Sequence, residues 1–225
     1  LGIAGVDGNG QSELAKIVTG LLLPDHGSIQ VNGNGVAGQN AKAFIEAGVT
    51  HIPEDRNRMG LVGSMSIYEN LVLKQIGEAP FSRGQGMYID YKVLHQHAKE
   101  LIKKYDIRTA SENLSTAALS GGNQQKVIVA REMEMHGELI IAVHPTRGVD
   151  IGASDYIHQQ LIAARERGCG ILLISADLDE ILRLSDRVAV LYEGRVMGYE
   201  DPDCPNINRI SLLMAGKESE PHEQA

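Results

Sequence analysis

Gly5-Val6-Asp7-Gly8-Asn9-Gly10-Gln11-Ser12 has the spacing of a loop that cradles phosphate. Glycines in such a loop let backbone N–H groups converge on the anion, and the helix that follows adds a favourable dipole. Gly5, Gly8 and Gly10 supply that freedom, with Asp7 and Asn9 between them. Ser12 stands where a hydroxyl would ligate magnesium. Gln11 stands where a lysine would bridge the outer phosphates, and a carboxamide cannot carry that charge. A hydrogen bond to a charged group contributes roughly 1.5–3 kcal/mol, against about 1 for a neutral one. The expected consequence is binding weaker by about one order of magnitude rather than its abolition. A dinucleotide fingerprint does not fit this spacing; a glycine-rich turn with no ligand is the alternative.

The flanking elements must hold this loop. Residues 1–5 predict a strand running into it, and residues 12–21 a helix leaving it. A turn at Asp25-His26-Gly27 precedes a short strand at 28–31 and a second turn at 32–35, and Val49–Ile52 predicts a buried strand ended by Pro53. Residues 78–86 collect Pro80, Ser82, Gly84 and Gly86, a surface loop. Over 91–105, Leu94, Ala98, Leu101, Ile102 and Tyr105 share one helical face. A helix is expected at 123–135, a strand at Leu139–Val143, a helix at 154–167 and a strand at 171–175. A short helix at 178–183 and a hairpin of 187–192 with 196–199 follow. Short apolar strands alternating with helices predict an α/β domain with a mostly parallel sheet. Residues 64–118 read as a helical subdomain inserted between 1–63 and 119–217, with a polar tail at 218–225.

Bulk properties narrow the function. The 225 residues are 43% hydrophobic, enough for one large core, and the formal charge of −8 argues against non-specific nucleic-acid binding. No apolar run approaches the roughly 18–20 residues that cross a bilayer. The chain opens on Leu1 and lacks a secretory leader pattern, so it reads as a piece of a longer protein. Cys169 and Cys204 are expected to be free thiols.

Leu119-Ser120-Gly121-Gly122-Asn123-Gln124-Gln125-Lys126 resembles the signature loop of ABC-transporter ATPases. Around it, Pro145-Thr146-Arg147-Gly148-Val149-Asp150 resembles the segment carrying the D-loop, with Gly148, Val149 and Asp150 as that loop. Pro53-Glu54-Asp55-Arg56 resembles the Q-loop region, and the segment from Ser175 to Glu180 resembles the switch loop. The similarity covers essentially the whole chain and is closest to the carboxy-terminal half of tandem sugar and nucleoside importer ATPases. It implies a P-loop NTPase (RecA-like) sheet flanked by helices, with an inserted helical subdomain. It also implies ATP and magnesium as ligands, the latter at Ser12, bound weakly at this loop or not at all. The implied partners are a second ATPase half (of the same polypeptide), membrane permease subunits and, indirectly, a substrate-binding protein. The implied location is the cytoplasmic face of the membrane, peripheral, with no nucleic acid involved.

The departures from the family pattern all fall on one site. Where the family has an aspartate and a glutamate before Pro-Thr, this chain has Val143 and His144, and the switch histidine is Ala176. Pro53 replaces the Q-loop glutamine of the family pattern. A general base is worth about 10²–10⁴ in rate, and groups acting as a unit do not lose it piecemeal. The four positions Gln11, Val143, His144 and Ala176 therefore imply a catalytically degenerate half that donates Ser120, Gly121 and Gly122 to its partner's ATP. These residues precede a helix whose N–H groups and dipole suit a γ-phosphate. Alternatives are an active ATPase using His144 as base, a soluble relative acting on DNA or ribosomes, and a purely structural module.

Overall fold

The computed structural model describes residues 1–84 and 86–217. Gln85, inside the expected 78–86 loop, and the tail at 218–225 lie outside the described residues. In chain order, β1 (Gly2–Ala4) leads into α1 (Gln11–Ile17) through the glycine loop. The helix is shorter than the expected 12–21. Gly20 adopts φ +71, and Leu21 and Leu22 turn their N–H groups back to the Lys16 carbonyl, a glycine-terminated helix end. The hairpin β2 (Gln30–Val31) and β3 (Asn34–Gly35) pivots on Asn32-Gly33 at φ +52 and +77, the residues that such a tight turn requires. Next come α2 (Ala41–Glu46), capped by Asn40, and β4 (Val49–Ile52). They are followed by α3 (Ile67–Leu71), with a Ser66–Glu69 capping box, the ribbon β5 (Ser82–Arg83) and β6 (Tyr88–Ile89), and α4 (Tyr91–Lys104). The rest is α5 (Gly121–Glu134), β7 (Leu139–Val143), α6 (Ile151–Glu166), β8 (Gly170–Ser175), α7 (Leu178–Leu184), β9 (Val188–Tyr192), β10 (Arg195–Glu200) and α8 (Ile207–Met214).

Six strands form one sheet in the order β10-β9-β1-β8-β7-β4. β1 pairs parallel with both β8 and β9, and β7 pairs parallel with β8; β10 returns antiparallel to β9. The runs LIIAV and VAVLY are continuous rather than alternating because these strands are covered on both faces. The mostly parallel α/β expectation therefore holds.

The residues group into two compact units. The first comprises 1–51, 137–144 and the described part of 165–225; the second comprises 52–136, apart from Gln85, and 145–164. Thus α5 and most of α6 group with the helical segment, a wider unit than 64–118. In the first unit Ile3, Val143, Ile174, Ala189 and Leu191 pack with Ala15 and Phe44. In the second, α4 buries Leu94, Ala98 and Leu101, the face expected from its periodicity, with Leu94 against Val72 and Phe81. Among the described residues no helix is long and apolar enough to cross a membrane. Cys169 and Cys204 are free thiols.

Candidate functional site

In the first unit, β1 delivers the glycine loop. Gly8 and Gly10 lie at φ +93 and +101, where side chains are strained. The β9–β10 turn holds the loop from outside: the Gly194 N–H donates to the Asn9 carbonyl at 2.8 Å and the Glu193 N–H to Asn9 Oδ1 at 3.2 Å. Gln11 holds it from inside. Its Oε1 accepts from the Asn9 N–H at 3.1 Å, and its Nε2 donates to the Val6 carbonyl at 3.0 Å. The residue is 3% exposed and lies over Gly5, where a Cβ would come within 2.6 Å of Nε2. The carboxamide is thus spent on the loop's own backbone.

The residues facing this loop in the family pattern have chemistry of their own here. Val143 is 2% exposed and belongs to the apolar core, so it brings no oxygen toward a metal. His144 follows β7 at φ +45 and is buried. Its Nδ1 accepts the Ala176 N–H at 3.3 Å, and its Nε2 lies 3.8 Å from Asp7 Oδ1. With the Nδ1 lone pair engaged, the neutral ring carries its proton on Nε2, toward the Asp7 carboxylate. Ala176 is exposed and acts through its backbone; Asp177 beside it caps α7.

In the second unit, Ser120 caps α5. Its Oγ accepts from the Asn123 N–H at 3.4 Å and from Asn123 Nδ2 at 2.9 Å, while Asn123 Oδ1 accepts from the Arg108 N–H at 2.7 Å. Both ends of the Asn123 amide are used, so the Ser120 hydroxyl is held as an acceptor and its own proton is left to donate outward. Ser120 is exposed, Gly121 half-buried and Gly122 buried. A Cβ on Gly122 would come within 3.1 Å of Asp150 Oδ2 and of the Ala153 Cβ. Asp150 caps the first turn of α6 through the Ala153 N–H at 2.9 Å, which starts the helix earlier than the expected 154. Gln124 Nε2 donates to the Thr116 carbonyl at 3.1 Å, and Leu119 ends the short turn of Thr116–Ala118. Gly148 at φ +68 makes the turn into Val149 and Asp150. Glu54 pairs with Arg147 at 2.6 Å, Asp55 caps the turn Arg56–Gly60, and Pro53 is buried.

A model of the ABC transporter family matches residues 1–147. The chain belongs to that family. Over 216 residues it is 44% identical to the nucleoside import ATP-binding protein NupA of Lactococcus lactis, covering 96% of this chain and 42% of that protein. It is also 44% identical to the guanosine import ATP-binding protein NupO of Bacillus subtilis over 217 residues, with coverage of 96% and 42%. The arabinose import ATP-binding protein AraG of Vibrio parahaemolyticus is 36% identical, again over 96% and 42%. The chain therefore spans about two fifths of the length of these curated relatives. Among solved structures, a dimeric ATP-binding cassette in a post-hydrolysis state with ADP and Pi superposes with a TM-score of 0.73. That match covers 89% of this chain and 84% of the other at 22% identity, a likeness of fold.

The loop of Ser120 and Gly122 borders a cavity of about 270 Å³ that is lined in part by residues outside the sequence motifs. Asp106, Arg108, Lys126 and Tyr156 line it beside Ser120 and Asp150. Lys126 Nζ donates to the Asp106 carbonyl and to its Oδ2, at 2.8 Å each, and lies 4.7 Å from the centroid of the Tyr156 ring. The Lys126 hydrogen bond and charge hold the Asp106 carboxyl below the usual range. Burial, then the Asp106 charge, pushes the Tyr156 phenol up to about 12. Lys126 was visible as the last letter of the signature; Asp106, Arg108 and Tyr156 carry no spacing signal.

Proposed function

We propose that this chain is the nucleotide-binding half of an ABC importer ATPase of the simple-sugar or nucleoside type. It is degenerate at its own phosphate loop and donates Ser120, Gly121 and Gly122 to ATP held by a partner half. The observation that carries this reading is the contrast between the two loops: one spends its key side chain inward, and the other leaves its donors outward. Gln11 consumes the Asn9 N–H and adds no charge, so phosphate finds a weak cradle. At the metal side, Ser12 offers one hydroxyl and Val143 offers none, whereas magnesium takes six oxygens in octahedral array. When ATP and magnesium are bound across the two halves, they supply the reacting phosphate and its counter-charge.

This chain's residues then bind and orient. The Ser120 proton, the first-turn N–H groups of the 14-residue α5 and the helix dipole converge on a γ-phosphate offered from outside. Such donors, fixed before charge develops, are often the largest single term in catalysis. His144 disfavours the rival reading of an active site here. A general base needs a free lone pair aimed at water, and the Nδ1 of His144 is occupied by the Ala176 N–H.

The relatives' names support import of sugars or nucleosides; the family resemblance implies permease subunits and a substrate-binding protein as partners, at the cytoplasmic face of the membrane. The 42% share of each relative is what one half of a tandem ATPase would occupy. The test is nucleotide stoichiometry by equilibrium dialysis of the full-length protein under non-hydrolysing conditions. One tight nucleotide per tandem chain is expected, with the second weaker by about tenfold or more. Two equally tight sites would contradict the reading.

A further inference from the structure

Arg56 begins a five-residue turn, Arg56–Gly60, that is pinned at both ends. Asp55 Oδ1 accepts from the Asn57 and Arg58 N–H groups at 3.0 Å each. At the other end Gly60 lies against α5, where a Cβ would come within 2.4 Å of Ile128 Cδ1. With its backbone fixed, Arg56 extends to the loop before α6. Its Nη1 donates to the Arg147 carbonyl at 2.9 Å, and its Nη2 lies 3.4 Å from the Gly148 carbonyl. The same Nη2 fills the space beside Gly121, 2.8 Å from where a Cβ would stand, and the Gly148 carbonyl closes that space at 3.2 Å. Two residues earlier, Glu54 grips the Arg147 side chain at 2.6 Å.

One planar cation therefore joins the Pro53–Arg56 segment, the signature glycine and the loop that carries Asp150. The residue types suit the task. A guanidinium is flat, weakly hydrated and forked, so it can donate to two carbonyls while lying against a glycine, whereas an ammonium is a compact point charge. A side chain at 121 would meet Nη2 and the Gly148 carbonyl together, so Arg56 would have to give way to it.

We infer that Arg56 is a positioning residue for the signature loop: it sets the register of Ser120, Gly121 and Gly122 against Asp150. This rests on the reading that the signature loop serves the partner half's ATP. Donors displaced by about 1 Å lose on the order of a hundredfold in rate, while most ground-state contacts to that ATP belong to the partner's own phosphate loop. Losing Arg56 should therefore lower kcat and spare KM.

The experiment measures ATPase kcat and KM of the full-length protein carrying Arg56→Ala, Arg56→Lys, Gly121→Ala or Arg56→Ala with Gly121→Ala, alongside Ser120→Arg. Arg56→Ala and Arg56→Lys should each lower kcat by about tenfold or more with KM within about threefold, because charge alone does not restore two carbonyl contacts. Gly121→Ala should lower kcat in the native background but add at most about threefold to Arg56→Ala, since the methyl enters vacated space. Its thermal midpoint should likewise fall less in the Arg56→Ala background. Native kcat in Arg56→Lys, or losses that multiply in the double variant, overturns the inference. An inactive Ser120→Arg beside a fully active Arg56→Ala rejects Arg56 alone, whereas an active Ser120→Arg rejects the donor reading and this inference with it.

Discussion

Gln11→Lys restores the charge that the phosphate loop lacks, and its consequences can be worked from two hydrogen bonds. The native carboxamide accepts from Asn9 N at 3.1 Å and donates to Val6 O at 3.0 Å. Lysine can replace the donor but not the acceptor. The Asn9 N–H keeps its second partner, the Val6 carbonyl at 3.2 Å, so the loss is one neutral hydrogen bond of about 1 kcal/mol. For a protein of this size that lowers the thermal midpoint by about 2–4 °C. Adding a charged contact to phosphate, worth about 1.5–3 kcal/mol, against the loop bond of about 1 kcal/mol leaves a gain of about 0.5–2 kcal/mol, a roughly two- to thirtyfold tightening. Turnover at this loop should nevertheless change by less than about threefold, because Val143, His144 and Ala176 still offer no metal oxygen, base or γ-phosphate contact. The assay is titration with a fluorescent ATP analogue, paired with ATPase measurement in full-length protein whose partner half has been silenced. A gain in turnover of about a hundredfold from this single change would refute the reasoning, since the missing charge would then have been the only defect.

Three further outcomes follow from the same geometry. His144→Ala should leave the ATPase activity of the full-length protein within about twofold, since its lone pair is already engaged; a loss on the order of a hundredfold in steady-state turnover would make it a base after all. Asn123→Ala removes the amide that joins Ser120 Oγ to the Arg108 N–H. It should cost about 1–3 kcal/mol in urea unfolding and lower ATPase activity, because the hydroxyl loses its orientation. Tyr156 should titrate near 12, above the ordinary phenol value of about 10, and Tyr156→Phe should delete that step of an ultraviolet titration. A folded-state pKa above the ordinary 10 gives stability that is present below pH 10 and lost as pH rises from 10 toward about 12.

Much of the fold was legible because it is written in contiguous letters. Leu139–Val143 and Val49–Ile52 are apolar runs between turn residues, and the structure keeps those bounds. The α4 stripe of Leu94, Ala98 and Leu101 follows helical spacing behind its Asp90 cap. The short helices α2, α3 and α8 are not legible from periodicity, although each has a side-chain cap at Asn40, Ser66 or Asn206. Elements of five to eight residues hold too few apolar positions for a period to emerge, and a cap alone also marks turns. The two glycine loops before α1 and α5 were legible for the same reason as the strands: glycines, serine and helix start are neighbours in sequence. What Gln11 does was not, because a carboxamide can face a ligand or its own backbone. Nor were the Glu54–Arg147 and Arg56–Arg147 contacts, which join residues 93 and 91 positions apart. Their partners are backbone carbonyls and a surface charge, which leave no pattern in a single sequence.

The central claim is that the exposed signature loop completes an ATP site belonging to another half, and Ser120→Arg tests it most directly. Arginine at this cap removes the hydroxyl donor and fills the space in front of Gly121, leaving the phosphate loop of the partner untouched. Steady-state ATPase of the full-length protein should fall by about a hundredfold, with nucleotide still bound at the partner's loop. ATPase activity equal to that of the native protein would contradict the account.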